Sequence, residues 1–353
     1  MRITSIDAVR GLTVAAMLLV NDAGDWSHVY PWLEHAEWHG CTPADLIFPV
    51  FMLIVGVSLQ LALSRQFETA TPPQAMARAV LLRGARILLL GIALNAAAAL
   101  LLHDREMRLP GVLQRIGICF AAGGLIAICL RSARLQWALL AAILLGYWAL
   151  LLNTGGLEPG ANLADRIDTA LLGHFAYQYN PTTGLAHDPE GVLGTLPALG
   201  TVLLGLRAGD WLRGRRIGIL AIAGIAAMLI GATWSLLLPL NKQLWTSSFV
   251  LWSGGFGMLL IALAAYLIDA RGWPPLGRAM GVNAITAYAG SWLATCLLSA
   301  GGVLGPLYEH VFRVPLAPLF GPEFASMAFA AAFTAVFWLA MAYAWRRGWR
   351  ITI

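Results

Sequence analysis

Charge is scarce in this sequence: of 353 residues only 12% are Asp, Glu, Lys or Arg, about half the roughly 25% that a water-soluble domain carries. That shortage, beside 59% hydrophobic side chains and a mean hydropathy of +0.72, excludes a disordered chain, a nucleic-acid-binding module and a simple cytosolic enzyme. Cysteine is also sparse. Cys41, Cys119, Cys129 and Cys296 show no metal-ligand spacing, and three of them fall in apolar runs, as buried small hydrophobes do. No small-residue cleavage site follows the opening residues, where Asp7 and Arg10 interrupt the apolar pattern, so the first apolar run is expected as a retained helix rather than a signal peptide. Heptads and internal repeats are missing too. The absence of matched, Gly/Pro-broken helices in two halves weighs against a secondary transporter.

What is present is a series of long apolar runs. A helix needs roughly 20 apolar residues to cross a hydrocarbon core of about 30 Å. Such runs fall near 8–21, 45–64, 79–102, 112–130, 135–152, 191–207, 216–238, 246–268, 278–300 and 325–345. They are too long for barrel strands, and helices satisfy their own backbone in lipid. The expected fold is therefore an all-α, polytopic integral membrane protein of about 10 transmembrane helices, a single domain over 1–353.

An even number of spans puts both termini on one side. Basic residues gather on the cytoplasmic side. With the N-terminus inside, Arg2, Arg10, Arg65, Arg78, Arg83, Arg86, Arg131, Arg134, Arg207, Arg213, Arg215, Arg216, Arg271, Arg278, Arg346, Arg347 and Arg350 fall at cytoplasmic ends. Only Arg105, Arg108, Arg115, Arg166, Lys242 and Arg313 remain outside, so the expected topology is N-in, C-in. All 7 histidines and most acids then lie outside. The exterior segments 22–44, 103–111, 153–190, 239–245 and 301–324 read as loops, rich in Trp, His, Asp, Gly and Pro, and long loops of this kind are where function concentrates. An outward-facing site is expected.

Residues 20–49 hold the densest polar chemistry. Thr42-Pro43-Ala44-Asp45 fits an N-cap, a proline at N1 and an acid at N3, so Asp45 either only caps the second helix or also serves the site. His35, in the preceding loop, can act as a general base or nucleophile, and Asn21 can donate to a developing oxyanion. Asp188-Pro189-Glu190 again resembles a helix start, with Asp188 as N-cap. Glu190 can bind a sugar hydroxyl or ammonium, or bridge to Lys242 or Arg115. Trp38 and Trp245 suit either an interfacial belt or stacking on a sugar ring. Arg83 and Arg86 share a face and satisfy the positive-inside rule, yet arginine also suits phosphate recognition. Asp7 and Arg10, three apart on the first helix, read as a mutually neutralising structural pair.

Several motifs in one order resemble the heparan-α-glucosaminide N-acetyltransferase family, including its bacterial N-acetylglucosamine-utilisation members. They are Ser5-Ile6-Asp7-Ala8-Val9-Arg10-Gly11, Val20-Asn21, His35-Ala36-x-Trp38-x-Gly40 and Asp45-Leu46-Ile47-Phe48-Pro49, then Gly111-Val112-Leu113-Gln114-Arg115-Ile116, Asp188-Pro189-Glu190-Gly191-Val192-Leu193-Gly194-Thr195, Asn241-Lys242-x-Leu244-Trp245 and Gly281-x-Asn283-Ala284-Ile285.

The resemblance implies acetyl transfer from cytoplasmic acetyl-CoA to the amine of a glucosamine-type sugar on the far, periplasmic side of a bacterial inner membrane, with no metal. His35 matches the catalytic histidine and Asn21 the assisting asparagine, joined by Asp45; His39 is the weaker histidine. Trp38, Asp188, Glu190, Lys242, Trp245 and Asn283 are expected at the sugar, and Arg83, Arg86, Gln114, Arg115 and Ser247 at acetyl-CoA. The eukaryotic members' leading segment is expected to lie outside the shared ten-helix unit. The competing function is an amino-sugar permease with His35 and Asp45 as a proton relay. Partners are the bilayer and the two substrates, without nucleic acid, and the glycine-rich helices permit a homodimer seam as well as internal packing.

Overall fold

The computed structural model describes residues 3–351; Arg2, assigned above to the inner side, lies outside them. The helices in chain order are α1 (Thr4–Asn21), α2 (Pro43–Glu68), α3 (Pro73–Leu101), α4 (Val112–Cys129), α5 (Ala133–Asn153), α6 (Leu163–Leu171), α7 (Thr195–Arg213), α8 (Ile217–Trp234), α9 (Ser247–Ala264), α10 (Arg278–Val282), α11 (Ala284–Ala300), α12 (Leu304–Tyr308), α13 (Val314–Phe320) and α14 (Pro322–Arg346). The only strands among the described residues are β1 (Gln178–Tyr179) and β2 (Ala186–His187), a short antiparallel pair.

Helix covers each expected span, but not every one is long and apolar enough to cross a membrane alone. Eight qualify: α1 to α5, α8, α9 with its continuation to Ala270, and α14; counting the bent pair Ala284–Ala300 and Leu304–Phe320 as one span makes nine. Of the remaining expected spans, α7 carries Arg207, Asp210 and Arg213 in its second half, and charges are costly in hydrocarbon. α11 has only 17 residues and is bent by 99° from the helix that follows.

Three boundaries differ from expectation. The apolar run near 191–207 becomes helical only at Thr195, so Asp188 is not an N-cap. The run 278–300 breaks at Asn283 into α10 and α11. The expected loop 301–324 is largely helical, since α12 and α13 are joined by a π-helical stretch, Glu309–Arg313.

α2 is the centre of the bundle. Met52, Leu53, Ile54 and Val57 are fully buried, and α7 crosses α2 at backbone distance. A Cβ on Gly56 would lie 2.1 Å from the Val202 carbonyl oxygen, and one on Gly205 would lie 2.2 Å from that of Leu53. Only glycine permits that approach. α1 and α10 meet in the same way through Gly11 and Gly281, whose added Cβ atoms would lie 1.9 Å and 1.7 Å from backbone oxygens.

The start of α1 has no cap of its own. Asp269 supplies one from afar, accepting from the Thr4 amide at 3.1 Å and from the Ser5 amide and hydroxyl. Because the long helices alternate in direction, the end of α1 and the starts of α2, α4, α7 and α9 meet at one end of the bundle. The motif residues from Asn21 to Trp245 collect there, whereas those of 5–11 and 281–285 meet one another at the opposite end.

Candidate active site

The start of α2 sets the site. Thr42 and Asp45 form a capping box. Asp45 Oδ2 accepts from the Ala36 amide at 3.0 Å, the Thr42 amide at 3.0 Å and the Thr42 hydroxyl at 3.1 Å. The other carboxylate oxygen is left for something else. Oδ1 faces His35 Nδ1 at 2.9 Å and Lys242 Nζ at 3.6 Å; the His35 contact is an ion-pair approach rather than an aligned hydrogen bond. One carboxylate therefore both caps a helix and orients a histidine. Its side chain is 1% exposed and that of His35 is 43% exposed, so a buried anion holds a ring that solvent can reach.

Lys242 completes this group, with Nζ 3.1 Å from each ring nitrogen of His35. Burial pushes its ammonium down from the ordinary lysine value, opposed by Asp45 and Glu190. The loop that carries it is stitched to the His35 loop. Gly40 N donates to the Leu240 carbonyl at 2.7 Å, Gln243 Nε2 donates to the Glu37 carbonyl at 2.6 Å, and Asn241 Nδ2 meets His39 Nδ1 at 3.3 Å. His39 thus braces the loop.

Asn21 ends α1 and is exposed. Val20 beside it packs with Leu33 and Ala44, which brings the end of α1 to the corner occupied by His35 and Asp45. Among the described residues the Asn21 amide makes no hydrogen bond, so its donors are available to a ligand.

Beneath this corner lies a second charged layer. Asp188 accepts from Arg108 Nε at 2.9 Å, the Tyr177 amide at 2.9 Å and the Glu190 amide at 2.9 Å. Those bonds hold 188–190 as a turn, which is why the expected helix start fails there. Glu190 pairs directly with Arg108 rather than with Lys242 or Arg115. Burial alone would raise the Glu190 carboxyl, but Arg108, Arg115 and Lys242 outweigh it and hold it below its ordinary value. Burial lowers Arg108, and Glu190 and Asp188 more than reverse that.

Arg115 is fully buried, its Nη2 donating to the Gly191 carbonyl at 3.1 Å and its guanidinium 5.1 Å from the Trp245 ring. Its Nε and Nη1 have no partner among the described residues. Arg108, Arg115 and Lys242 thus balance Asp45, Asp188 and Glu190. Arg108 was not among the residues singled out above, although its sequence signal was available: a basic residue on the side that the charge bias otherwise keeps free of them.

A third cluster closes one side. Trp38 donates to the Leu157 carbonyl at 2.9 Å and its ring lies 5.4 Å from that of His187. His187 Nδ1 is 2.6 Å from Asp165 Oδ1, and Nε2 is 2.6 Å from Gln243 Oε1. The Gln243 amide is fixed by its own donation to Glu37, so both His187 nitrogens face acceptors, an arrangement that favours the protonated ring. Burial would lower the His187 value, yet Asp165 raises it above the ordinary one. Nearby, burial pushes Asp168 up to about 6.

Other expected site residues are placed differently. Trp245 is fully buried with φ 52°, its indole donating to Thr201 at 3.1 Å and its ring edge-on to Phe48 and Phe249; no face is free to stack on a sugar. Ser247 donates to the Leu144 carbonyl at 2.7 Å, at the His35 end of the bundle. Gln114 donates to the Leu109 carbonyl at 3.0 Å and so braces the turn before α4.

Asn283 lies at the opposite end, near Asp7 and Arg10, where it accepts from the Ile351 amide at 3.0 Å and donates to the Trp349 carbonyl at 3.3 Å. It ties down the C-terminal tail. Arg10 pairs with Asp7 at 2.8 Å, as expected of a structural pair. Arg83 and Arg86 are exposed on α3, the Arg83 guanidinium lying 5.3 Å from the Phe120 ring. Neither lines the cleft at that end of the bundle.

Chemically, the corner offers an accessible imidazole oriented by a buried carboxylate, a buried amine beside it and a free side-chain amide. That set can accept a proton or an acyl group and offset negative charge on an oxyanion. A family profile described as heparan-alpha-glucosaminide N-acetyltransferase, catalytic, matches residues 2–244. The human heparan-alpha-glucosaminide N-acetyltransferase is 27% identical over 352 residues, covering 82% of this chain and 52% of its own length. The mouse protein of the same name is 26% identical over 351 residues, covering 82% and 53%. The chain thus spans about half the length of these curated relatives. With the profile match covering well over half of its residues, the chain belongs to the heparan-alpha-glucosaminide N-acetyltransferase catalytic family.

Proposed function

We propose that this protein is a transmembrane N-acetyltransferase that moves acetyl from cytoplasmic acetyl-CoA to the amine of a glucosamine-type sugar on the periplasmic side of a bacterial inner membrane. Ten crossings with both termini inside are part of this reading. The observation that carries it is the contact of His35 with Asp45 at 2.9 Å and with Lys242 at 3.1 Å.

Two routes use the same residues. In direct transfer the sugar amine attacks the thioester carbon while His35 takes its proton. The C–S bond then breaks and CoA leaves as a thiolate that is reprotonated. In the two-step route an unprotonated His35 nitrogen attacks first, CoA departs, and the amine displaces the imidazole from an acyl-histidine. In both, Asn21 and Lys242 face the carbonyl oxygen as its charge grows. Asp45 keeps the ring turned, and Trp38 and Glu190 border the acceptor's approach.

The test is purified protein with radiolabelled acetyl-CoA and a panel of amino sugars. Wild type is expected to form N-acetyl sugar and His35→Ala to form none while keeping its unfolding midpoint. Normal transfer by His35→Ala overturns the assignment, and sugar uptake by proteoliposomes without any acetylation replaces the enzyme with a permease. Label retained on His35 with acetyl-CoA alone selects the two-step route.

A further inference from the structure

At the end of α2 opposite His35 lies a cleft of about 700 Å³, lined by Glu68, Trp137, Arg207, Asp210, Trp211, Arg213 and Arg216 among others. It is formed by the end of α2, the start of α5, the end of α7 and the start of α8. Arg207 pairs with Asp210 at 2.8 Å and Arg213 with Glu68 at 2.7 Å. Arg216 has no acidic partner among the described residues, which leaves the lining with one cation in excess. Arg207 is buried, its side chain 7% exposed, and its Nε donor has no partner among the described residues. A guanidinium that still has an unused donor beside its pairing with Asp210, at the wall of a cleft with one cation in excess, suits the oxygens of an anion. Trp137 and Trp211 lie 6.1 Å apart at the same place, the kind of rings that settle at headgroup depth.

Two of the helix seams that run from the cleft towards His35 are close-packed. Along the α2–α7 seam the Gly56 and Gly205 crossing brings backbone to backbone, and along α5–α7 Gly200 is covered by Leu140, Ile143 and Leu144.

We infer that this cleft is a binding site for the phosphate of an anionic phospholipid, with Arg207 and Arg216 holding the headgroup oxygens and Trp137 and Trp211 flanking its glycerol and upper acyl chains. Basic pockets between helices at the inner leaflet have this chemistry. The site is separate from the acetyl-transfer corner and does not depend on the reaction assigned there.

The test is native mass spectrometry of the detergent-purified protein with equimolar phosphatidylglycerol and phosphatidylcholine, in wild type, Arg207→Gln/Arg216→Gln, Arg216→Gln alone, and Arg134→Gln. Arg134 is an exposed arginine at the start of α5 outside the lining. Wild type and Arg134→Gln are expected to retain phosphatidylglycerol at least fivefold over phosphatidylcholine, the double variant to lose that preference while still eluting as a folded, monodisperse species, and Arg216→Gln alone, which leaves the Arg207–Asp210 pair intact, to weaken it. Equal retention of the two lipids, or an unchanged preference in the double variant, overturns the site. A second arm adds adenosine 3′,5′-bisphosphate. Failure to displace the lipid is expected, whereas displacement at micromolar concentration would assign the cleft to a soluble nucleotide and overturn the lipid assignment.

Discussion

Replacing Asp45 by Asn and by Ala separates the two tasks of one carboxylate. Oδ2 takes three hydrogen bonds from the capping box and the Ala36 amide, whereas Oδ1 faces His35 at 2.9 Å and Lys242 at 3.6 Å. Asn keeps a neutral oxygen for the cap and turns an amide NH₂ towards His35, where an anion had stood. Ala removes both. Losing the N3 arm of the capping box, while the Thr42 N-cap stays, costs about 1 kcal/mol, and each half-buried donor left without an acceptor adds about 1–3 kcal/mol. Asp45→Ala should therefore unfold roughly 2–4 kcal/mol more easily than Asp45→Asn. Both variants equally lose the anion beside buried Lys242.

Activity should not follow that order. A histidine whose orienting carboxylate becomes an amide loses about 10⁴ in turnover where such pairs have been dissected, corresponding to about 5.5 kcal/mol of transition-state stabilisation. Asp45→Asn should thus be nearly as inactive as Asp45→Ala while clearly more stable. Single-turnover acetyl transfer from labelled acetyl-CoA and denaturant unfolding in detergent measure the two effects independently. The reasoning is refuted if Asp45→Asn retains more than a tenth of wild-type rate, or if the two variants unfold together.

The His187 latch is pH-dependent with a definite sign. Because its folded value is raised by Asp165, its stabilisation is fully present below the unfolded histidine value of about 6.5 and is lost as pH rises through the folded value. The stability gap between wild type and His187→Gln should therefore be widest in acid and shrink in alkali; a gap constant from pH 5 to 9 would exclude an imidazolium there. Arg108→Met strands Asp188 and Glu190 as buried acids and should destabilise by about 3–5 kcal/mol, with Arg108→Met/Glu190→Gln recovering part of it in equilibrium unfolding. Gly205→Ala drives a Cβ into the Leu53 carbonyl at 2.2 Å, so folded yield by size-exclusion chromatography should collapse, while Gly146→Ala, with nothing within 4 Å, should purify as wild type.

Much of the site was legible because two of its anchors are local. Thr42-Pro43-Ala44-Asp45 is a helix start by its own chemistry, and the structure forms that cap. His35 lies within a short loop of it and could hardly be far away. The same reasoning failed at Asp188-Pro189-Glu190, where an equally good local cap lost to Arg108, whose two contacts with the turn are worth more than one capping bond. Trp245 lies in the right motif and Ser247 just after it, yet both point into the core, since a residue's neighbours along the chain do not say which way its side chain turns. Asn283 shows the limit most plainly: motif membership placed it with the sugar, while folding placed it at the other end of the bundle, against the C-terminal tail.

Membrane residence and helical class needed only the one-dimensional pattern, because hydropathy and helix length act residue by residue and add along the chain. What only the tertiary structure decided is the pairing of charges. His35 and Lys242 are 207 positions apart, and they meet because α2 and α9 begin at the same end of a bundle drawn together by glycine crossings such as Gly56 on Gly205. A buried charge must find a counter-charge, but nothing local says which one. That choice belongs to the packing, which is why the cap of α2 could be read from four consecutive residues and the Arg108, Glu190 and Asp188 cluster could not.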